Sequence, residues 1–115
     1  VILTDTNILL RALYPAHPHY ALAKRALRTL RRRGEILSVT PQIIIEFWAV
    51  ATRAREYNGL GLQLAQVVEE VKDIRALFHL LPETVEIHSV SGILTFNVGD
   101  FRRFPGIDVL NPEEV

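Results

Sequence analysis

Cysteine is absent from the chain, and so is methionine. Without cysteine no disulfide can form, and every metal site built on thiolates is excluded. Methionine is missing even at position 1, so we expect the chain to be a portion of its translation product. Net charge is zero, with 13 Lys/Arg against 13 Asp/Glu. No apolar run approaches the ~20 residues a membrane span needs. The apolar start is too short for a signal peptide and lacks a basic leading region. A cytoplasmic protein with no membrane partner is the expectation.

What the chain does have is an apolar half, 49% of its 115 residues, enough for the core of one domain over 1–115. Its charge is unevenly spread. Residues 1–57 carry nine Lys/Arg and four Asp/Glu, and residues 58–115 carry four and nine. Such asymmetry allows a basic face for a polyanion beside an acidic region.

The first seven residues, Val-Ile-Leu-Thr-Asp-Thr-Asn, organise the rest. Val1–Leu3 read as a short strand covered on both faces. Asp5 stands just past its carboxyl end, where open α/β sheets bind ligands. It is either a cap for the helix that follows to about Leu13 or a ligand. Tyr14-Pro15-Ala16-His17-Pro18 makes a turn. His17 and His19 have no third ligand nearby, so a solvent-exposed loop is expected. Apolar spacing predicts a helix over 20–33, with six cations on its other faces and Gly34 ending it.

Residues 35–39 read as a second strand. Thr40 and Pro41 then supply an N-cap and a first helical position, opening a helix to about Arg55. Ile44, Phe47, Trp48 and Ala51 form its apolar stripe, widened by Ile43, Ile45 and Val50. Glu46 lies inside that apolar stretch and needs a partner if buried, either an arginine or a metal ion shared with Asp5. A loop at 57–61 leads to a helix over 62–77, with Leu64 among its inward residues, and His79–Leu81 is a third strand. Strands over 91–96 and 107–110 follow, and residues 111–114 read as a frayed tail. Alternating strands and helices imply an α/β fold with a mainly parallel sheet.

One connection is short. Eleven residues lie between Leu81 and Ile93, without a helical stripe, whereas a parallel crossover needs about a dozen or more. We therefore expect residues to be omitted near His88-Ser89, within 86–92.

Three acids share a position class. Asp5 and Asp100 follow strands, and Glu46 lies early in a helix that follows one. Converging carboxylates repel, and a divalent cation relieves that repulsion. All-oxygen ligation selects Mg²⁺ or Mn²⁺ over zinc. Such an ion can hold a phosphodiester and activate water, and the basic helix would attract a polyanion.

The stretches TDTNILLRAL, SVTPQIIIEFWAVATR, NGLGL and LTFNVGDFRRFPGI resemble, in order and spacing, a PIN-domain ribonuclease, the toxin half of a VapBC-type toxin–antitoxin pair. The resemblance implies a three-layer α/β/α sandwich with short strands and a Mg²⁺- or Mn²⁺-dependent endoribonuclease acting on RNA. It also implies a cognate antitoxin that blocks the site, and commonly a homodimer. Asp5 is then the first acid, Glu46 the second and Asp100 the last, with Thr6, Asn7 and Asn97 as supporting polar groups. Such toxins carry a further acid, in an His-Asp-Ala-like segment. Here His88 runs directly into Ser89, in the same short connection. The alternative is a catalytically silent PIN-like module that binds RNA or protein. A phosphatase with Asp5 as nucleophile is disfavoured, because Asn7 stands where a second aspartate would be needed.

Overall fold

A computed structural model of the chain describes residues 1–82, 90–101 and 106–115. The connection suspected of an omission, at His88-Ser89, lies outside the described residues. Five strands form one sheet in which every pairing is parallel. They are β1 (Ile2–Thr4), β2 (Leu37–Val39), β3 (His79–Leu80), β4 (Gly92–Leu94) and β5 (Asp108–Leu110). Among the described residues, five α-helices flank it: α1 (Thr6–Ala12), α2 (Tyr20–Arg32), α3 (Pro41–Thr52), α4 (Leu64–Leu77) and the short α5 (Val98–Phe101). This is the α/β architecture that the alternation of periods predicts. Among the described residues no helix is long and apolar enough to cross a membrane.

The strand order is β3-β2-β1-β4-β5. β1 is central, so its side chains meet protein on both faces, which is why Ile-Leu-Thr carries no charge. From β1 the chain steps to β2 and β3 on one side, then returns to β4 and β5 on the other. The direction of winding therefore reverses between β1 and β4. In open parallel sheets the crevice at such a switch point is where ligands bind.

Local chemistry sets the helix ends. Thr40 caps α3, its Oγ1 accepting from the Ile43 amide at 3.2 Å, with Pro41 at the first turn. Gly34, at φ +83°, follows the last residues of α2 in a left-handed conformation that a side chain would strain. Ala23, Ala26, Leu27 and Leu30 turn the inner face of α2 into the core. One of its outer cations is structural: the Arg31 guanidinium donates to the Leu77 carbonyl at 3.1 Å and lies 4.9 Å from the Phe78 ring centre.

Three expectations fail. Glu46 is exposed, while Ile43, Phe47 and Ala51 make the buried face of α3. The buried face is narrower than the expected stripe: Ile43, Phe47 and Ala51 recur every four residues and point inward, which leaves Ile45 and Glu46 on the outer side. Leu64 is 61% exposed, since α4 begins there, before its first inward position at Val67. Residues 111–114 are not frayed: Asn111 Oδ1 accepts from the Glu113 amide at 3.0 Å and Pro112 is buried. The turn after α1 lies at the surface as expected, with Pro15, Ala16 and Pro18 exposed, while His17 and His19 within it are half-buried.

Candidate metal centre at the sheet switch point

Asp5 leaves the carboxyl end of β1 in extended conformation and caps α1. Its Oδ1 accepts from the Thr6 amide at 2.7 Å. Its Oδ2 accepts from Thr95 Oγ1, also at 2.7 Å. Thr95 follows β4, so this bond spans the switch point. Capping and ligation, alternatives on sequence alone, are compatible here, because each carboxylate oxygen keeps a lone pair after these bonds.

Thr95 is the residue that sequence reasoning missed. It is fully buried, and its hydroxyl is saturated. Asn7 Nδ2 donates to it at 3.2 Å and the Asn97 amide at 3.0 Å, leaving its own proton for Asp5. Asn7 in turn accepts the Phe96 amide at 3.3 Å through Oδ1. One hint lay in the run Ile-Leu-Thr-Phe, where a hydroxyl inside a buried strand end demands a partner.

Glu46 joins from α3. Its Oε2 accepts from Thr6 Oγ1 at 3.0 Å and its Oε1 from Gln42 Nε2 at 3.2 Å, one helical turn away. Thr6 thus ties both acids together, its amide on Asp5 and its hydroxyl on Glu46. Among the described residues neither carboxylate has a Lys or Arg within ion-pair distance. The arginine partner envisaged for Glu46 is replaced by a hydroxyl and an amide.

The structure does not gather the whole predicted set. Asn97 contributes through its backbone amide. Asp100 is exposed on α5, its amide bonded to the Asn97 carbonyl at 3.1 Å. Among the described residues no three His, Asp or Glu side chains come together as a metal site.

No protein-family model matches the chain, and no curated protein matches it.

The donor chemistry at Asp5 and Glu46 nevertheless suits a hard cation. Among the described residues, two carboxylates share one threonine without a counter-charge, and the side-chain groups that could ligate an ion there are oxygens. Mg²⁺ keeps several waters and is commonly held by one or two carboxylates.

Beside this centre runs a chain of rings. His19 stacks on Phe96 with centroids 4.5 Å apart and planes 12° from parallel. His17 lies 5.3 Å from His19, and Tyr14 meets His17 edge-on at 6.0 Å. His17 titrates below its ordinary range, because burial disfavours its cation and then Arg11 and His19 add repulsion. Elsewhere, a groove of 560 Å³ runs between α1, α2 and α4, with Leu13, Leu27, Ile74 and Phe78 in its lining and Lys24, Arg28, Glu70 and Asp73 among its charges.

Proposed function

We propose that the chain is a Mg²⁺- or Mn²⁺-dependent endoribonuclease of the PIN-domain kind, the toxin of a toxin–antitoxin pair. The observation that carries this reading is the tie through Thr6. It joins two carboxylates that have no cationic partner among the described residues, beside a bond that crosses the switch point of a parallel sheet. Asp5 and Glu46 would hold the ion, with Asp100 as the last acid on the strength of the resemblance. When bound, such an ion supplies a Lewis acid for the phosphodiester. The protein's own part is positional. Thr95 and the Thr6 amide fix the Asp5 carboxylate, Thr6 Oγ1 and Gln42 fix Glu46, and Asn7 holds Thr95 in place. Exposed arginines on α2 favour a polyanion. The groove between α1, α2 and α4 offers an apolar seat to a protein partner, in keeping with an antitoxin. The homodimer rests on the resemblance alone.

The alternative, a catalytically silent module, is favoured by one observation: only two of the three acids meet among the described residues. Incubation of unstructured RNA with Mg²⁺ or Mn²⁺ separates the two. The enzyme cleaves, stops with a chelator, and loses about a hundredfold or more of its rate on Asp5→Ala. Binding without cleavage under either metal would establish the module instead.

A further inference from the structure

We propose that Tyr14, His17, His19 and Phe96, with Arg11 beside them, form a stacking site for unpaired bases of the RNA strand held at Asp5 and Glu46. This rests on the nuclease reading and adds how the strand is gripped.

Three observations lead to it. The first is position. Phe96 directly follows Thr95, whose hydroxyl donates to Asp5, and the Phe96 amide is bonded to Asn7. The ring chain therefore begins one residue from the carboxylate cluster and leads away from it along the turn between α1 and α2. The second is exposure. All four rings are half-buried, so each retains surface for a ligand, whereas rings serving only as core would be closed over. The third is that the turn has a backbone frame of its own, to which one ring adds a bond, the His17 Nδ1 accepting from the His19 amide at 3.0 Å. Its backbone is already bonded from Tyr14 to the Arg11 carbonyl, from His17 to that of Tyr14 and from Tyr20 to that of His17, at 3.2, 2.9 and 3.0 Å. His19 is tied into the fold by stacking on Phe96, and His17 by its bond to the His19 amide. Tyr14 and His17 extend the surface beyond that contact.

The chemistry suits single-stranded nucleic acid. Every base has a π-face, so rings grip a strand without regard to sequence, while a nearby cation meets the backbone. Burial first and then the nearby Arg11 charge lower the tendency of the His17 ring to take up a proton. A duplex, whose bases are already stacked, gains nothing here.

The test measures binding to the full chain by fluorescence anisotropy, with EDTA present so that no cleavage is needed. The probes are an unstructured RNA octamer and an abasic strand of the same length. The octamer should bind more tightly. Tyr14→Ala and His19→Ala should each weaken octamer binding roughly five- to a hundredfold and leave the abasic strand unchanged. His19→Phe, which keeps a stacking ring, should restore binding, and thermal unfolding of each variant shows whether it is folded. With metal added, folded alanine variants should raise KM while kcat holds. Equal weakening for both probes, or wild-type binding in folded alanine variants, overturns the stacking site and leaves the nuclease reading standing. Failure of His19→Phe to rescue binding also overturns it. A wild-type chain that neither binds nor cuts RNA overturns both.

Discussion

A threonine hydroxyl can donate once and accept twice, and Thr95 uses all three capacities. Thr4, three residues from Asn7 on the adjoining strand end, is the opposite case: its Oγ1 is fully buried with no hydrogen-bond partner among the described residues. Such a group forfeits the bonds it made to water. Thr4→Val, which keeps the shape and removes the hydroxyl, should stabilise the fold by about 1 kcal/mol. Urea unfolding measures this, and a loss of that size would reveal a partner for the hydroxyl. These two threonines also mark what single residues disclose. Asp5 stood out in the sequence because it follows an apolar strand at the edge where open parallel sheets bind ligands. Thr95 did not, because a threonine in a strand is ordinary and its role comes from Asn7 and Asp5, about ninety positions away in the chain. Glu46 was legible as an acid in need of a partner, but not as an exposed one, since the width of the buried helix face decides that.

Elements were legible where a local chemical device ends them. Thr40-Pro41 and Gly34 do so, and both bounds hold. α5 was not foreseen, since four residues leave no period to read. The link from α3 to α4 is a case of close approach. The Leu60 amide bonds back to the Val50 carbonyl at 3.0 Å and the Leu62 amide to that of Ala51 at 2.9 Å. A Cβ at Gly59 would overlap the Arg53 carbonyl. Gly59→Ala should therefore cost about 3 kcal/mol, read as a lower urea midpoint at unchanged slope. The groove between α2 and α4 makes a pH prediction. Burial raises the Glu70 carboxyl above its usual range, Asp73 adds to this, and Lys24 opposes it. The folded state then holds a proton that the unfolded state has released, so stability falls as pH rises from about 4.5 through the folded value. Glu70→Gln should raise the melting temperature at pH 7, and the gain should vanish below about pH 4.5. A constant gain at all pH values would refute this assignment.

For the molecule as a whole, alternating periods made the parallel sheet legible, whereas the strand order was not: nothing in residues 1–7 says which strands will flank them. The order matters because it places Asp5 and Thr95 on either side of the reversal, and so lets the bond between them cross it. It also has a consequence in time. β1 pairs with Leu37 on one side and with Gly92 on the other. Closing the longer loop costs about 0.8 kcal/mol more, so β1 should join β2 first and wait with its other edge open. Two amides on the same short stretch report the two events. Ile2 donates to the Ile36 carbonyl at 2.8 Å, and Asp5 to that of Leu94 at 3.0 Å. In pulse-labelled hydrogen exchange during refolding, the Ile2 amide should become protected before that of Asp5; simultaneous protection would contradict this order. The acid that begins the candidate centre would then be among the early parts of the chain to find its strand and among the last to find its partners. A half-folded molecule would carry the carboxylate without the arrangement that gives it a use.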